Sequence, residues 1–308
     1  MGCVYPVRIK NNNYTTGGVK IWQRHQYYYV PCGKCLGCMI AKQTFLADLC
    51  NWEYNHYGVG AFVTLTYDND ALMELEWNEN GEPLLNYEDF KLFNKRLRKR
   101  LADKYGTSLE FKFVAVGEYG TEGERPHFHA LYFGLDWQHC DQDIYDAWGK
   151  GITDSKPIKE GAINYVLKYM QKDIMRNKKA YGLKKNNEPF LKHSINLGKG
   201  FIEEHMEEII KNNGMYDNGS GKLRPISSYW CNKLGITPVI DYTDAKKEIG
   251  AINKVDWETV SKKQAMEYLK NKAQIKEEQY IRTCRRQGQA QKDFNKDWSE
   301  SLWREKID

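Results

Sequence analysis

Residues 110–134 read EFKFVAVGEYGTEGERPHFHALYFG. Two alternating runs, 110–117 and 127–134, are rich in aromatic and β-branched residues, and a Gly- and Pro-bearing segment joins them. That pattern predicts two antiparallel strands in a hairpin with a long loop. Side chains alternate along a strand, so His127 and His129 share one face while Phe128 points to the other. Glu118 closes the first strand, which sets it beside His127 across the hairpin.

Working outward, residues 60–67 (GAFVTLTY) predict another strand. Residues 87–102 predict a helix with Asn86 as N-cap and Phe90, Phe93, Leu97 and Leu101 on one stripe. Its other face carries Lys95, Arg96, Arg98, Lys99 and Arg100. A short strand near 151–155 and a helix over 161–176 follow. Strands interrupted by helices, with neighbours joined by a hairpin, predict an α+β layer fold rather than a doubly wound parallel sheet. Beyond residue 186 the pattern weakens: 212–222 reads as a loop and 257–287 as a long polar helix. The GSGK within that loop lacks the upstream Gly spacing of a phosphate loop. The expected organisation is a Cys-rich segment and helix at 1–58, a catalytic core at 59–185 and a mostly helical extension at 186–308.

Composition narrows the function classes. The chain has 308 residues, with 46 Lys+Arg against 41 Asp+Glu, a formal charge of +5. No apolar run reaches the roughly 18 residues of a spanning helix, and MGCVYPVRIK lacks the apolar stretch of a secretory leader. No nucleotide-binding motif occurs, so an ATP-driven motor is not expected. The charge is unevenly spread. Residues 68–89 hold eight acids and no base, whereas 165–185 hold seven bases against Asp173 alone. A charge run is most often a solvated face, so each basic block is weak support for a polyanionic partner. The 21 Tyr and 9 Trp suit stacking on nucleic-acid bases and equally suit an aromatic core.

Three constellations carry chemistry. His127 and His129 can ligate one cation, and Glu118 beside them adds oxygen character and leaves positions open, which suits Mg²⁺ or Mn²⁺ acting on a phosphate. Tyr165 and Tyr169, at i and i+4, share a helix face with Lys168 close by. A Tyr pair at that spacing is more often core packing, but a phenol can serve as a covalent nucleophile beside a cation. Cys32, Cys35 and Cys38, with two residues between each and the next, can bite one Zn²⁺ in a reducing cell. An iron–sulfur cluster would need a further Cys near position 42, which is Lys42. The fourth zinc ligand is open between Cys3 and Cys50. His25, His56, His139, His193 and His205 have no partner at ligand spacing and read as structural or surface residues, as Cys140, Cys231 and Cys284 do.

In this order, FVTLTY, Glu118 with His127-Phe128-His129, and Tyr165-x-x-Lys168-Tyr169 resemble the three motifs of HUH endonucleases. The pair of tyrosines four apart is similar to the two-tyrosine initiators of rolling-circle replication. Including Cys3, VPCGKCLGC, KRLRKRL, VGEYG…RPHFHALYFG and INYVLKYMQK, the chain over residues 1–235 resembles replication initiation proteins of Microviridae of the gokushovirus-like branch. The resemblance implies a central antiparallel sheet flanked by helices, and it favours Cys3 as the fourth ligand because that family carries an early Cys. It also implies that Tyr165 or Tyr169 attacks an origin phosphate of single-stranded DNA and that Lys168 offsets developing charge. Arg96, Arg98, Lys99, Arg100 and Lys172 would hold DNA phosphates. The expected setting is the host bacterial cytoplasm, with host polymerase and helicase as partners. A transposase or relaxase sharing the same site, and a zinc-dependent nucleic-acid-binding protein without chemistry, are the alternatives.

Overall fold

The computed structural model describes residues 3, 6–11, 26–33, 35–106, 110–120, 125–159, 161–167, 189–237, 240, 242–276, 278–279 and 282–283. In chain order the first elements are β1 (Val7–Lys10), β2 (Tyr27–Val30), α1 (Leu36–Tyr57), β3 (Gly60–Tyr67), α2 (Asn69–Met73) and α3 (Tyr87–Tyr105). They are followed by β4 (Lys112–Tyr119), β5 (Pro126–Phe133), α4 (Trp137–Trp148), β6 (Gly151–Pro157), β7 (Phe190–His193), β8 (Met215–Asp217) and β9 (Leu223–Pro225). Contacts divide the chain into two compact units, residues 42–227 and residues 1–41 with 228–308. This grouping joins both ends of the chain, whereas the motif reading cuts it sequentially at 58 and 185.

The unit of residues 42–227 is built on a five-stranded sheet in the order β6-β3-β5-β4-β7, every neighbouring pair antiparallel. The fold is α+β with helices on both faces, as the strand and helix pattern predicts. Alternation along the strands divides the core into two layers. Ala61, Val63, Leu65 and Tyr67 of β3 and Phe128, Ala130 and Tyr132 of β5 face α3 and α4, packing against Phe90, Phe93, Leu97, Leu101, Ile144 and Trp148. Leu131 and Phe133 of β5 and Val114 and Val116 of β4 face the other way, toward Leu46 and Cys50 of α1 and Ile163, Val166 and Leu167. Each of these large side chains, when fully buried, contributes roughly 1.5–3 kcal/mol.

Helix α3 starts where the sequence predicts, with the Asn86 side chain accepting from the Glu88 N–H at 3.0 Å. It ends at Gly106, which adopts the left-handed conformation (φ 66°). The helix predicted over 161–176 is present at 162–167, and its remaining residues, including Lys168, Tyr169 and Lys172, lie outside the described residues.

Three elements after residue 186 differ from the sequence reading. Phe190–His193 is an edge strand on β4, too short and too polar on one face to stand out by periodicity. Its Phe190 ring packs over Gly117, where a Cβ would come within 2.6 Å of it, so that position in β4 requires glycine. Residues 212–222 are not wholly a loop. Met215–Asp217 pairs with Leu223–Pro225, and the buried Tyr216 ring lies against Phe45 and Phe201. Long-range aromatic packing, which local pattern does not carry, decides that segment. The long polar helix does not begin at 257: Trp257–Thr259 is a 3₁₀ turn, and the helix runs over 262–276. Ser261 and Gln264 form a capping box there, with Gln264 N–H donating to Ser261 Oγ (3.2 Å) and Ser261 N–H to Gln264 Oε1 (2.9 Å).

Candidate functional site

The register of the sheet assembles the first cluster. Glu118 of β4 stands directly opposite His127 of β5, and Thr64 of β3 stands opposite His129. All four lie on the face turned away from α3 and α4, because Phe128 between the histidines belongs to the other layer. One ligand atom each from Glu118, His127 and His129 lies within 4.8 Å of the others. Glu118 Oε1 is 3.1 Å from His127 Nε2 and 3.5 Å from His129 Nε2.

Hydrogen bonding identifies what this cluster can hold. His127 Nδ1 lies 3.1 Å from the Arg125 carbonyl oxygen, which can only accept, so Nδ1 carries the hydrogen. In the neutral ring Nε2 is then a lone pair facing a carboxylate oxygen, which is also an acceptor. Two acceptors so close together need a cation or a proton between them. A divalent ion fits that donor set, and the other ring nitrogen of each histidine already has a partner, as ligating imidazoles normally require. Arg125 is itself fixed, donating to the Tyr67 carbonyl and to Asn69 Oδ1, both at 2.7 Å.

Tyr165 stands beside this cluster. Its ring is edge-on to His129, with centroids 5.8 Å apart, and edge-on to Phe62 at 6.1 Å. It is 48% exposed, while Ile163, Val166 and Leu167 of the same helical segment are buried against the sheet. The apolar stripe therefore faces inward and leaves Tyr165 at its flank. Phe62 stacks on His129 with ring planes 12° apart and centroids 5.7 Å apart. The sequence reading did not single out Phe62 or Thr64. Alternation in FVTLTY signals that they share a face, but only the pairing register brings them to the histidines.

The second cluster is the cysteines. Cys3, Cys32, Cys35 and Cys38 offer sulfur atoms all within 4.8 Å of one another. The Cys32–Cys38 sulfurs are 4.0 Å apart and the Cys35–Cys3 pair 3.9 Å. A tetrahedral Zn²⁺ with bonds of about 2.3 Å sets its sulfurs roughly 3.8 Å apart, so the four fit such an ion. Backbone N–H groups of Cys32 and Cys35 already donate to the sulfurs of Cys3 and Cys32. Burial and the adjacent thiols push Cys38 up from its ordinary range in the absence of a cation, although the Gly33 backbone acts in the opposite sense. Cys50, the competing ligand, is fully buried in the other unit and packs among Leu46, Val114 and Leu131. None of the seven described cysteines is in a disulfide.

The basic face of α3 is largely engaged within the protein. Arg96 donates to the carbonyls of Ala147 and Trp148 at the end of α4, at 2.7 and 3.0 Å. Arg98 donates to the Phe111 carbonyl at 3.2 Å and covers that ring, while Arg100 pairs with Asp146 and Asp143. Lys99 is exposed. Helix α3 also lies on the sheet face opposite the Glu118, His127 and His129 cluster, a separation that the linear sequence conceals.

A family model described as replication-associated protein ORF2/G2P matches residues 60–174, which contain β3, β4, β5 and Tyr165. The replication-associated protein VP4 of Bdellovibrio phage phiMH2K is 26% identical over 256 residues, covering 75% of this chain and 76% of that protein. This chain is similar to phage replication-associated proteins. Replication-associated protein ORF4 of Chlamydia phage 1 is 29% identical over 164 residues, covering 47% of this chain and 39% of its own length. The chain thus spans well under half of that relative. The N-terminal nuclease domain of minute virus of mice non-structural protein-1 aligns with 53% of this chain and 82% of that one, at 11% identity and a TM-score of 0.20. At that score the likeness carries no argument, and the fold rests on the strand order and register above. Among the described residues, no helix is long and apolar enough to cross a membrane.

Proposed function

We propose that this chain initiates rolling-circle replication of a small DNA circle by nicking and rejoining single-stranded origin DNA, as an HUH-type endonuclease. The observation that carries the reading is the exposed Tyr165 phenol beside the Glu118, His127 and His129 cluster. Glu118, His127 and His129 would hold Mg²⁺ or Mn²⁺, which when bound withdraws charge from a phosphate's non-bridging oxygens. Tyr165 Oη attacks the phosphorus and the bond to the 3′ oxygen breaks. The products are a 5′-phosphotyrosine and a 3′-OH that takes up a proton and primes a host polymerase. The phenol's proton must leave as attack proceeds, and Lys168 is assigned to stabilise the charge that builds there. Tyr169 serves the second cut, after which the freed 3′-OH attacks the first phosphotyrosine and closes the circle.

Cys3, Cys32, Cys35 and Cys38 would hold one structural Zn²⁺. DNA contact is assigned to Lys99 and Lys172, with Arg96, Arg98 and Arg100 shaping the basic helix from their intramolecular partners. Binding then weakens as salt rises, because phosphate contacts release counterions. The proposed setting is the cytoplasm of a bacterial host.

The test is cleavage of labelled single strands tiling the cognate circle, with Mn²⁺ present. The account expects one cut position, lost with excess chelator and lost in His127→Ala while the variant keeps its circular dichroism. Cutting that persists in chelator would overturn the metal assignment. Binding without any cut would favour a non-catalytic nucleic-acid-binding role.

A further inference from the structure

The two histidines of the metal cluster are oriented by different means. His127 donates from Nδ1 to a main-chain carbonyl, that of Arg125, which no side-chain change at position 125 removes. His129 has its Nδ1 3.0 Å from Oγ1 of Thr64. For His129 to offer Nε2 toward Glu118, 3.5 Å away, the hydrogen must sit on Nδ1, and Thr64 Oγ1 is the acceptor in line to receive it.

We propose that Thr64 is a positioning residue that holds the ring orientation of His129 and accepts its Nδ1 hydrogen; this rests on the reading of Glu118, His127 and His129 as metal ligands. Thr64 lies in the middle of β3, directly opposite His129 in register, so backbone pairing delivers the hydroxyl to the ring. Threonine is β-branched and stiff at χ1, which keeps Oγ1 aimed. Phe62, two residues earlier on the same face, stacks on the His129 ring, and Tyr165 meets its edge. Rotation of the imidazole is thus confined by two aromatic rings, and the hydroxyl gives the Nδ1 hydrogen an acceptor when Nε2 faces the ion. The neighbours Val63 and Leu65 are buried in the opposite layer, so a hydroxyl at 64 serves the cluster and not that core.

The test is Mn²⁺ uptake by the full chain, read from the loss of the free-ion EPR signal, which requires no DNA and no turnover. Thr64→Val keeps shape and strand propensity but deletes the acceptor. It should weaken Mn²⁺ binding by about 10-fold or more, the usual scale for losing an outer-shell partner of a ligating histidine. Thr64→Ser restores the hydroxyl and should recover most of the affinity, and it remains informative if the valine variant folds poorly. Wild-type affinity in Thr64→Val, or an equal loss in Thr64→Ser, would overturn the proposal. His127→Ala separates the two levels. If it leaves Mn²⁺ uptake unchanged, the ligand assignment fails and this proposal with it; if it abolishes uptake while Thr64→Val does not, only the role of Thr64 falls.

Discussion

Tyr165 and His129 meet in a T-shaped ring contact because helix spacing and sheet register converge on one spot. Tyr165 has Lys168 three residues further on, so the account assigns it the first cut. Tyr165→Phe should abolish the initial nick, a loss of several orders of magnitude, since the ring keeps its contacts and loses only the attacking oxygen. Tyr169→Phe should nick once and fail to circularise. Denaturing gels of a full cleavage-and-joining round separate the two. A single Phe variant that both nicks and recircularises would show that one tyrosine is structural. The histidine pair and Glu118 were legible in the sequence because a strand has a period of two and a hairpin faces its ends. Phe62 and Thr64 were not, because the pairing of β3 with β5 depends on contacts some 65 residues apart.

Among the elements, α1 is tied to the sheet by a buried charge. Glu53 is fully buried, and its Oε1 accepts from Lys112 Nζ at 2.7 Å and from the Gly198 N–H at 2.6 Å. Removing only the cation leaves a carboxylate in low dielectric, which costs about 3–5 kcal/mol. Lys112→Met should therefore lower the unfolding midpoint clearly, and the double change Glu53→Leu with Lys112→Met should recover much of the loss. Thermal unfolding followed by circular dichroism measures both; a double variant no better than Lys112→Met would contradict the buried-charge explanation. On the far face, α3 shows the limit of reading charge from sequence. KRLRKRL looked like a free basic surface, yet Arg96 caps the end of α4 and Arg100 pairs with its acids. Those carbonyls and carboxylates lie some 50 residues away in the chain, where composition does not reveal them.

At the scale of the whole molecule, the Cys cluster is more than an N-terminal element. Cys35 packs against Ala273 of helix 262–276, which is 2% exposed, within the unit that joins residues 1–41 to 228–308. Sequence spacing identified three of the four sulfurs. The contact with the C-terminal helix was not legible, since it spans more than 200 residues and leaves no local signal. Cys35→Ser should reduce bound zinc from about one ion per chain to none, because structural sites need four ligands. It should also raise hydrogen exchange over 262–276 while strand 60–67 keeps its protection. Unchanged exchange in that helix would separate the Cys site from the packing of the C-terminal region.

The central claim is that a tyrosine beside the Glu118, His127 and His129 cluster becomes covalently joined to DNA. The most direct measurement is peptide mass spectrometry of the protein after incubation with cognate single-stranded DNA and Mn²⁺, followed by nuclease trimming. The account predicts a nucleotide adduct on Tyr165, absent when the ion is chelated and absent in His127→Ala. Cleaved DNA with no protein adduct, or an adduct on a residue remote from this cluster, would contradict it.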